Sequence, residues 1–548
     1  MSADTHSGEW RPVRFVQAMV LVALAYWTAY AVVVPVTIWD SHTYNLARLL
    51  IAEHGGLFGN TGWNSDRQVA FPWSFDAIHY PFLFLGWGYA VPSFLCFVGV
   101  MLIVFQMVKS RYDARTAWHC CLAILALPTV MFQASSTKND LGFVFGIACW
   151  VYAMWRFQRE RLARYLALGA LGLSFAAGAK TFGLFFLAIL SVHTLWLLRD
   201  TARLARRFVG FSVVCFILLG SVEIYVNNEM TYGHLIGNAH IASHRNVDGF
   251  SGMMANLVRY VIGSTDVGLD LANPETPSAA WLERFCRSTL SFMHLENKGY
   301  RPDFDDAKLQ FLKTGGEAGT DYGPLGTLSL WIAVCLILCR PARDDLRRLC
   351  LAGLGSLLLV CATVAWMPWN MRFLMLPFLL FTLATTIFLT GPESRSLFGQ
   401  RLFLVLAVSS AILFPMYSYN KSPKHLWRSV TQREWMTMRE RPSMTEIVDD
   451  LDARREQIGQ TPLLLSAGGD SWVLPILQMR DLHVIPGPVV SLSLLRDAAA
   501  RYHSQTVYVL LLNQPRPLEP GCTVALVKRY GEPDSGLYVW SSSDRAGQ

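Results

Sequence analysis

Long apolar runs, broken only by short clusters of Arg and Lys, constrain this chain more than any other feature. A run of about 18 or more apolar residues matches a helix crossing a hydrocarbon core of about 30 Å. Closed barrels are the other way to satisfy backbone polar groups in lipid. Their signature, alternating segments of about ten residues, is absent here. The chain is 53% hydrophobic and 16% charged, where a soluble protein carries about 25% charged residues. The expected fold class is therefore a polytopic α-helical membrane protein.

About eleven spans are expected, at 15–36, 82–108, 117–134, 141–157, 164–179, 181–198, 208–226, 324–339, 349–367, 372–390 and 402–418. Arg11 and Arg14 precede the first run, as in a signal peptide. That run is long enough to span and lacks a small-residue cleavage site, so it reads as a retained helix. The pair at 164–198 is tight, and its helices are expected to be short or tilted. Of eleven Cys, most lie in apolar runs. Only Cys286 and Cys522 fall in segments expected outside, where a bridge between them is one alternative. No CxxC occurs.

Lys and Arg in the connecting loops set the orientation. Lys109, Arg111 and Arg115, then Arg156, Arg159, Arg161 and Arg164, then Arg199, Arg203, Arg206 and Arg207 share one side. Arg340, Arg343, Arg347 and Arg348, then Arg395 and Arg401, join them. This places the N-terminus (1–14) in the cytoplasm and the C-terminus outside. The net charge of +7 is thus a topology signal and not a sign of nucleic-acid binding. The expected organisation is a membrane module over 15–418, with outer loops at 37–81 and 227–323, and a small outer α/β domain over 419–548. Strand-like runs at Pro462–Ser466, Thr506–Leu512 and Thr523–Val527, with a helical stretch at Leu494–Tyr502, support that domain.

Ionisable residues at helix ends in a membrane are costly unless paired or used. Four stand out, all expected on the outer face. Asp40 follows the first span in Trp39-Asp40-Ser41-His42-Thr43-Tyr44 and suits a general base, or a cap for a helix over Thr43–Glu53. Asp140 ends Ser135-Ser136-Thr137-Lys138-Asn139-Asp140, again a base or a helix start. Lys180 sits at the tip of the tight hairpin with no acid nearby in sequence; it reads as an anion ligand or as a snorkelling cation. Arg372 breaks the positive-inside pattern and suits bidentate phosphate recognition, or anchors the interface beside Trp369. Two carboxylates and two cations make a kit for moving a group off a lipid phosphate. The cations stabilise the departing phosphate, and a carboxylate takes the proton of the incoming hydroxyl.

These motifs carry a resemblance. Asp40-Ser41-His42-Thr43-Tyr44-Asn45-Leu46 is similar to an Asp-x-x-x-Tyr-His/Asn-Leu segment, and His79-Tyr80-Pro81 closes the loop as Tyr-Pro does in relatives. Thr137-Lys138-Asn139-Asp140-Leu141, Gly178-Ala179-Lys180-Thr181, Asp321-Tyr322-Gly323-Pro324-Leu325-Gly326 and Arg372-Phe373-Leu374-Met375-Leu376-Pro377 follow in matching order. Over roughly 15–420 the chain resembles the GT-C superfamily of membrane glycosyltransferases. The similarity points to the bacterial branch of lipid A aminoarabinose transferases, protein mannosyltransferases and rhizobial galacturonosyltransferases. The resemblance implies a polyprenyl-phosphate-linked sugar as donor, an extracytoplasmic lipid, glycan or protein acceptor, and contact with membrane lipids in a bacterial plasma membrane. It implies inverting displacement, with Asp40 as base, Asp140 as the second acid, and Lys180 and Arg372 on the donor phosphate. His42, Tyr44, His79, Tyr80 and Asp321 would line the substrate site. A single acid stands where some relatives have an acidic pair, so a divalent metal stays one alternative and no cofactor is assigned.

Other motifs are weaker. Asp303-Phe304-Asp305 and Asp450-Leu451-Asp452 have the spacing of nucleotide-sugar enzymes but fall outside, and read as solvated acidic faces. His240 and His244 are spaced to share a helix face, yet two His are a weak metal signal. Ser466-Ala467-Gly468-Gly469-Asp470 after a strand reads as a turn. Two alternatives to the transferase remain: a ligase or polymerase of lipid-linked glycans, and a lipid or solute transporter. Transporters usually show broken helices and paired half-repeats.

Overall fold

The computed structural model describes residues 10–34, 36, 40–55, 66–85, 87–265, 277–300, 322–339, 343–394, 396–417, 426, 443–467, 483–486, 490–512, 518–519, 522–531 and 535–542. The chain divides into two compact units. One comprises Met1–Val33 with Ala90–Trp427, and the other Val34–Tyr89 with Arg428–Gln548.

The first unit is helical. Every expected span falls on a helix or a bent pair: Trp10–Val33, Val91–Arg111, Ala114–Leu125 with Pro128–Ala134, Asp140–Glu160, Ala163–Ala179, Gly183–Leu197, Ala202–Leu219 with Val222–Tyr232, Gly323–Leu338, Asp344–Thr363, Met375–Thr390 and Leu397–Tyr417. Among the described residues, four helices are long and apolar enough to cross a membrane, or six if each bent pair is one span. Four further apolar helices have 10–17 residues. Asp140–Glu160, with 21 residues at about 1.5 Å each, also matches the hydrocarbon thickness.

Three expectations need correcting. The span expected at 82–108 begins at Val91. A separate short helix, Tyr80–Leu85, precedes it, and Gly88 (φ +71°) turns the chain between them. Spans three and seven are each broken, by bends of 75° and 72°. Proline supplies the first break, because Pro128 cannot donate to the preceding turn. At the second, Ser221 adopts a left-handed conformation (φ 55°).

Asp140–Glu160 and Ala163–Ala179 run antiparallel through a close crossing. A Cβ on Gly146 would meet the Gly172 carbonyl at 2.5 Å, and one on Gly172 would meet the Gly146 carbonyl at the same distance. Small residues at this contact let the two backbones touch, the usual device where lipid offers no hydrophobic drive. The N-terminus of one helix is thereby set beside the C-terminus of the other.

The second unit holds a five-stranded sheet of order β2-β1-β3-β5-β4. The strands are β1 (Leu463–Ala467), β2 (Val484–Pro486), β3 (Thr506–Leu512), β4 (Ala525–Arg529) and β5 (Gly536–Ser541). β2, β1 and β3 are parallel, and β5 pairs antiparallel with both β3 and β4. Alternation along β1 splits the core between the sheet faces. Leu463 and Leu465 pack with Ile447, Val448 and Leu451 of the helix Ser443–Ala453. Leu464 packs with Leu495 and Ala498 of the helix Leu492–Arg501. Ala47, Leu50 and Ile51, from the loop after the first span, join the Leu463 face. The first loop and the C-terminal domain therefore share one hydrophobic core. The reading of 419–548 did not include β2, β5 or the helix Ser443–Ala453, and it placed β4 two residues early.

Asp450 is not a solvated face. It pairs with Arg454 (3.0 Å) and Lys528 (3.2 Å) and accepts from Tyr530 Oη (2.9 Å), tying the helix to β4. His240 and His244 share no helix, because Ala239–Ala242 ends before His244. Cys286 and Cys522 are free thiols, like the other nine cysteines. Asp303, Asp305, Asp321 and Gly468–Asp470 lie outside the described residues.

Candidate active site

The first unit brings three of the four singled-out charges together. Asp140 opens its helix, and Lys180 caps the C-terminus of Ala163–Ala179. The close antiparallel crossing puts Lys180 Nζ 2.5 Å from Asp140 Oδ1. Arg372 arrives on a 3₁₀ turn, Pro368–Leu374, with Nε 3.8 Å from Asp140 Oδ2. All three are buried, the carboxylate at 3% side-chain exposure. This overturns the reading of Lys180 as a cation without a local acid, since its acid comes from forty residues away. Arg372 is not a surface anchor, and its guanidinium turns inward to the carboxylate.

The surroundings are apolar. Lys180 Nζ stands 3.9 Å from the centre of the Phe373 ring, which neighbours Phe182 and, through it, Phe143. Low polarity strengthens every charge interaction at the cluster. Lys138 is buried two residues before Asp140, and its charge and that of Arg372 both act on Lys180.

Local structure holds the Lys180 turn by satisfying the carbonyls that a helix end leaves free. Asn139 Nδ2 donates to Ala179 O (2.7 Å), Tyr225 Oη to Ala177 O (2.8 Å) and Ser221 Oγ to Gly178 O (3.3 Å). Asn139 lies between the helix Pro128–Ala134 and Asp140–Glu160, so it follows the first broken span. Ser221 and Tyr225 come from the second. The second break thus caps the turn that presents Lys180, and the loop before Asp140 adds Asn139. Lys138, Asn139, Ser221 and Tyr225 were not recognised from the sequence, although Lys138 and Asn139 stand inside a motif already singled out.

The second unit holds Asp40 with His42, Tyr44, His79 and Tyr80. Asp40 is buried before a π-helical turn, Ser41–Asn45, and its side chain makes no capping hydrogen bond. The helix follows as Leu46–Gly55, so the capping reading fails. His42 Nε2 lies 2.9 Å from Val36 O, and His79 Nδ1 lies 3.1 Å from Phe75 O. Burial pushes both imidazoles down to about 4, so both are neutral at neutral pH. Tyr44 is buried edge-on against Phe71 (5.8 Å). Tyr80 is exposed, at 36%. A buried ion pair, Arg48 with Asp76, frames this region. Arg48 also donates to Phe71 O (2.8 Å) and Pro72 O (2.7 Å), while Asn45 Nδ2 donates to Asp76 Oδ1 (2.8 Å). Among the described residues, no three His, Cys, Asp or Glu side chains gather as a metal-ligand set.

The helical membrane module and the small α/β domain define a polytopic helical membrane fold. No family model and no curated protein sequence matches the chain. Among solved structures, it is similar to ArnT from Cupriavidus metallidurans bound to undecaprenyl phosphate. The identity is 14%, the TM-score 0.50, and 97% of this chain and 99% of that one are covered. The apo state of the same protein aligns at 13% identity and a TM-score of 0.48, over 96% and 98% of the two chains.

Proposed function

We propose that this protein is a multi-pass plasma-membrane glycosyltransferase, moving a sugar from a polyprenyl-phosphate carrier to an acceptor outside the cytoplasm. The Asp140–Lys180–Arg372 cluster carries the reading: two buried cations converge on one carboxylate, at helix ends, against an aromatic wall. The fold shared with a protein that binds undecaprenyl phosphate supports it.

In the proposed reaction, the acceptor hydroxyl attacks the anomeric carbon as its bond to the phosphate oxygen breaks. That oxygen keeps the electron pair, so the phosphate gains negative charge. Lys180 and Arg372 stabilise this developing charge, as donors aimed at a departing anion do. Asp140 holds the two cations in place. Asp40 takes the hydroxyl proton, and the configuration inverts. A free monophosphate carrier leaves. His42, Tyr44, His79 and Tyr80 are proposed to line the sugar or acceptor region, as is Asp321.

The two bent helix pairs favour a second reading, a lipid or solute transporter, since transporters build sites at helix breaks. Here the second break supplies caps for the Lys180 turn. A ligase or polymerase of lipid-linked glycans would use the same chemistry on a diphosphate.

The test is mass spectrometry of cell-envelope glycans with and without the gene, followed by turnover of the identified carrier-linked sugar by purified protein. Loss of one sugar from one acceptor, with turnover abolished in Asp40→Asn, is the expected outcome. An unchanged envelope, or near-normal turnover in Asp40→Asn, defeats the assignment of the base and weakens the enzyme reading.

A further inference from the structure

The middle outer segment points to a role of its own. Arg372 follows a short extended stretch, residues 364–367, that leaves the helix Asp344–Thr363. That stretch is gripped from both sides by the middle segment. On one side Ala365 N donates to His244 O (2.8 Å) and Asn246 N to Thr363 O (3.2 Å). On the other, Trp366 N donates to Gly299 O (2.7 Å), and Tyr300 bridges to Trp366. The chain just beyond is also tied. Asn370 Nδ2 donates back to Ala365 O (2.8 Å), and Tyr322 Oη donates to Met371 O (2.7 Å), one residue before Arg372.

A fully buried pair on the helix Gly249–Gly263 joins the gripped stretch to the Gly299 side. Asn256 Nδ2 donates to Cys361 O (3.2 Å) and Val364 O (3.0 Å), carbonyls at the end of a helix that need donors. Arg259 Nη1 donates to Lys298 O (2.6 Å) and to Asn256 Oδ1 (3.3 Å), and its Nη2 donates to Glu296 O (3.1 Å). Asp248 completes the frame by accepting from Gly299 N (2.7 Å) and pairing with Lys298 (3.2 Å). Gly299 has φ +76°, and a Cβ there would meet Gly252 O at 2.5 Å and Asn256 Oδ1 at 2.7 Å, so the ribbon lies hard against this pair.

We infer that the middle segment is a clamp that sets the position of Arg372, with Asn256 and Arg259 as its positioning residues. The inference rests on the proposed role of Arg372 at a lipid phosphate. The physical reason is leverage: Arg372 sits on a 3₁₀ turn of seven residues, which has poor internal hydrogen bonding and takes its geometry from what flanks it. The clamp consists of backbone bonds to Thr363, Ala365 and Trp366 and a buried amide that holds Cys361 O and Val364 O. Side-chain placement in a charge site must hold to a fraction of an ångström to keep its effect.

The test measures binding of undecaprenyl phosphate to the purified full chain in detergent, by native mass spectrometry, for a double-mutant cycle. Wild type, Asn256→Ala, Arg372→Ala and the double variant are compared. Asn256→Ala is expected to weaken binding about tenfold in the wild-type background and to have no effect once Arg372 is gone. Equal weakening in both backgrounds makes Asn256 a general stability residue and overturns the clamp, while the phosphate role of Arg372 stands. Unchanged binding in Arg372→Ala overturns both. If Asn256→Ala does not yield folded protein, Asn246→Ala at the rim of the ribbon replaces it in the same cycle. Asn246 Nδ2 reaches Cys361 O at 3.3 Å, and a smaller loss that again depends on Arg372 is expected.

Discussion

Among the described residues each unit holds a buried ion cluster, and their charge balance separates them. In the second unit Arg48 meets Asp76 one to one, two backbone carbonyls take further guanidinium donors, and Asn45 serves the carboxylate. In the helical unit one carboxylate, Asp140, meets two cations, Lys180 and Arg372. The first arrangement closes upon itself and fastens the segment Phe71–Pro72 to the helix Leu46–Gly55. The second concentrates positive charge against an aromatic wall, an environment that suits an arriving or departing anion. Burial alone therefore does not separate the two clusters; the stoichiometry of charge within the burial does.

The contrast breaks down or sharpens in four measurements. The largest stability effect is expected from Asp76→Asn, which leaves Arg48 buried without its partner. Loss of one member of a buried pair costs about 3–5 kcal/mol, so the thermal unfolding temperature of the second unit should drop steeply. A small change would mean the pair is not what fastens the loop.

Arg372→Met and Lys180→Met should show the opposite profile. Each leaves Asp140 with one cation, so melting should change little. Turnover should fall about 100- to 1,000-fold, the loss typical for one donor to a developing oxyanion. Stability losses matching those of Asp76→Asn, without a specific effect on turnover, would make the cluster scaffold too.

His42 and His79 give a pH signature to the second unit. Their ordinary value is 6.5, and burial lowers both to about 4 in the folded chain. The unfolded chain therefore binds protons first as pH falls. Stability is fully present above pH 6.5 and is lost between there and about pH 4, by an amount on the order of 3 kcal/mol per histidine. Thermal unfolding across that window checks this, and His42→Gln with His79→Gln should flatten the curve. A flat wild-type curve refutes it.

The smallest effect is expected from Tyr225→Phe. It removes one hydrogen bond to Ala177 O, worth about 0.5–1.5 kcal/mol, and loosens the turn that carries Lys180. Turnover should drop several-fold with little change in expression. No change in turnover would show that the remaining caps hold Lys180 alone.

Much of the helical unit was legible from sequence because lipid leaves the backbone few choices. Apolar runs gave each helix to within a few residues, and an isolated hydrophilic residue at a run's end announced each member of the cluster. The errors came where local rules met turns. Gly88 moved the start of one helix to Val91, and the breaks near Pro128 and Ser221 divided two others. The second unit was less legible. β2 has three residues, too few for a periodic pattern, and β5 lies on the far side of a reversal from β4. The packing of Ala47, Leu50 and Ile51 on a sheet more than four hundred residues later has no local signal at all.

The sequence by itself determined that the chain crosses a membrane many times, that a small α/β domain follows, and that Asp40, Asp140, Lys180 and Arg372 are out of place unless used. These follow from hydropathy and the cost of burying charge, which depend on residue type and position along one chain. Only the tertiary structure decided which of those charges meet. The Gly146–Gly172 contact sets Asp140 beside Lys180, Ser221 and Tyr225 cap the turn between them, and Asn256 fastens the approach to Arg372. Pairing of this kind is a property of distances between helices, and those depend on where small residues let two backbones touch.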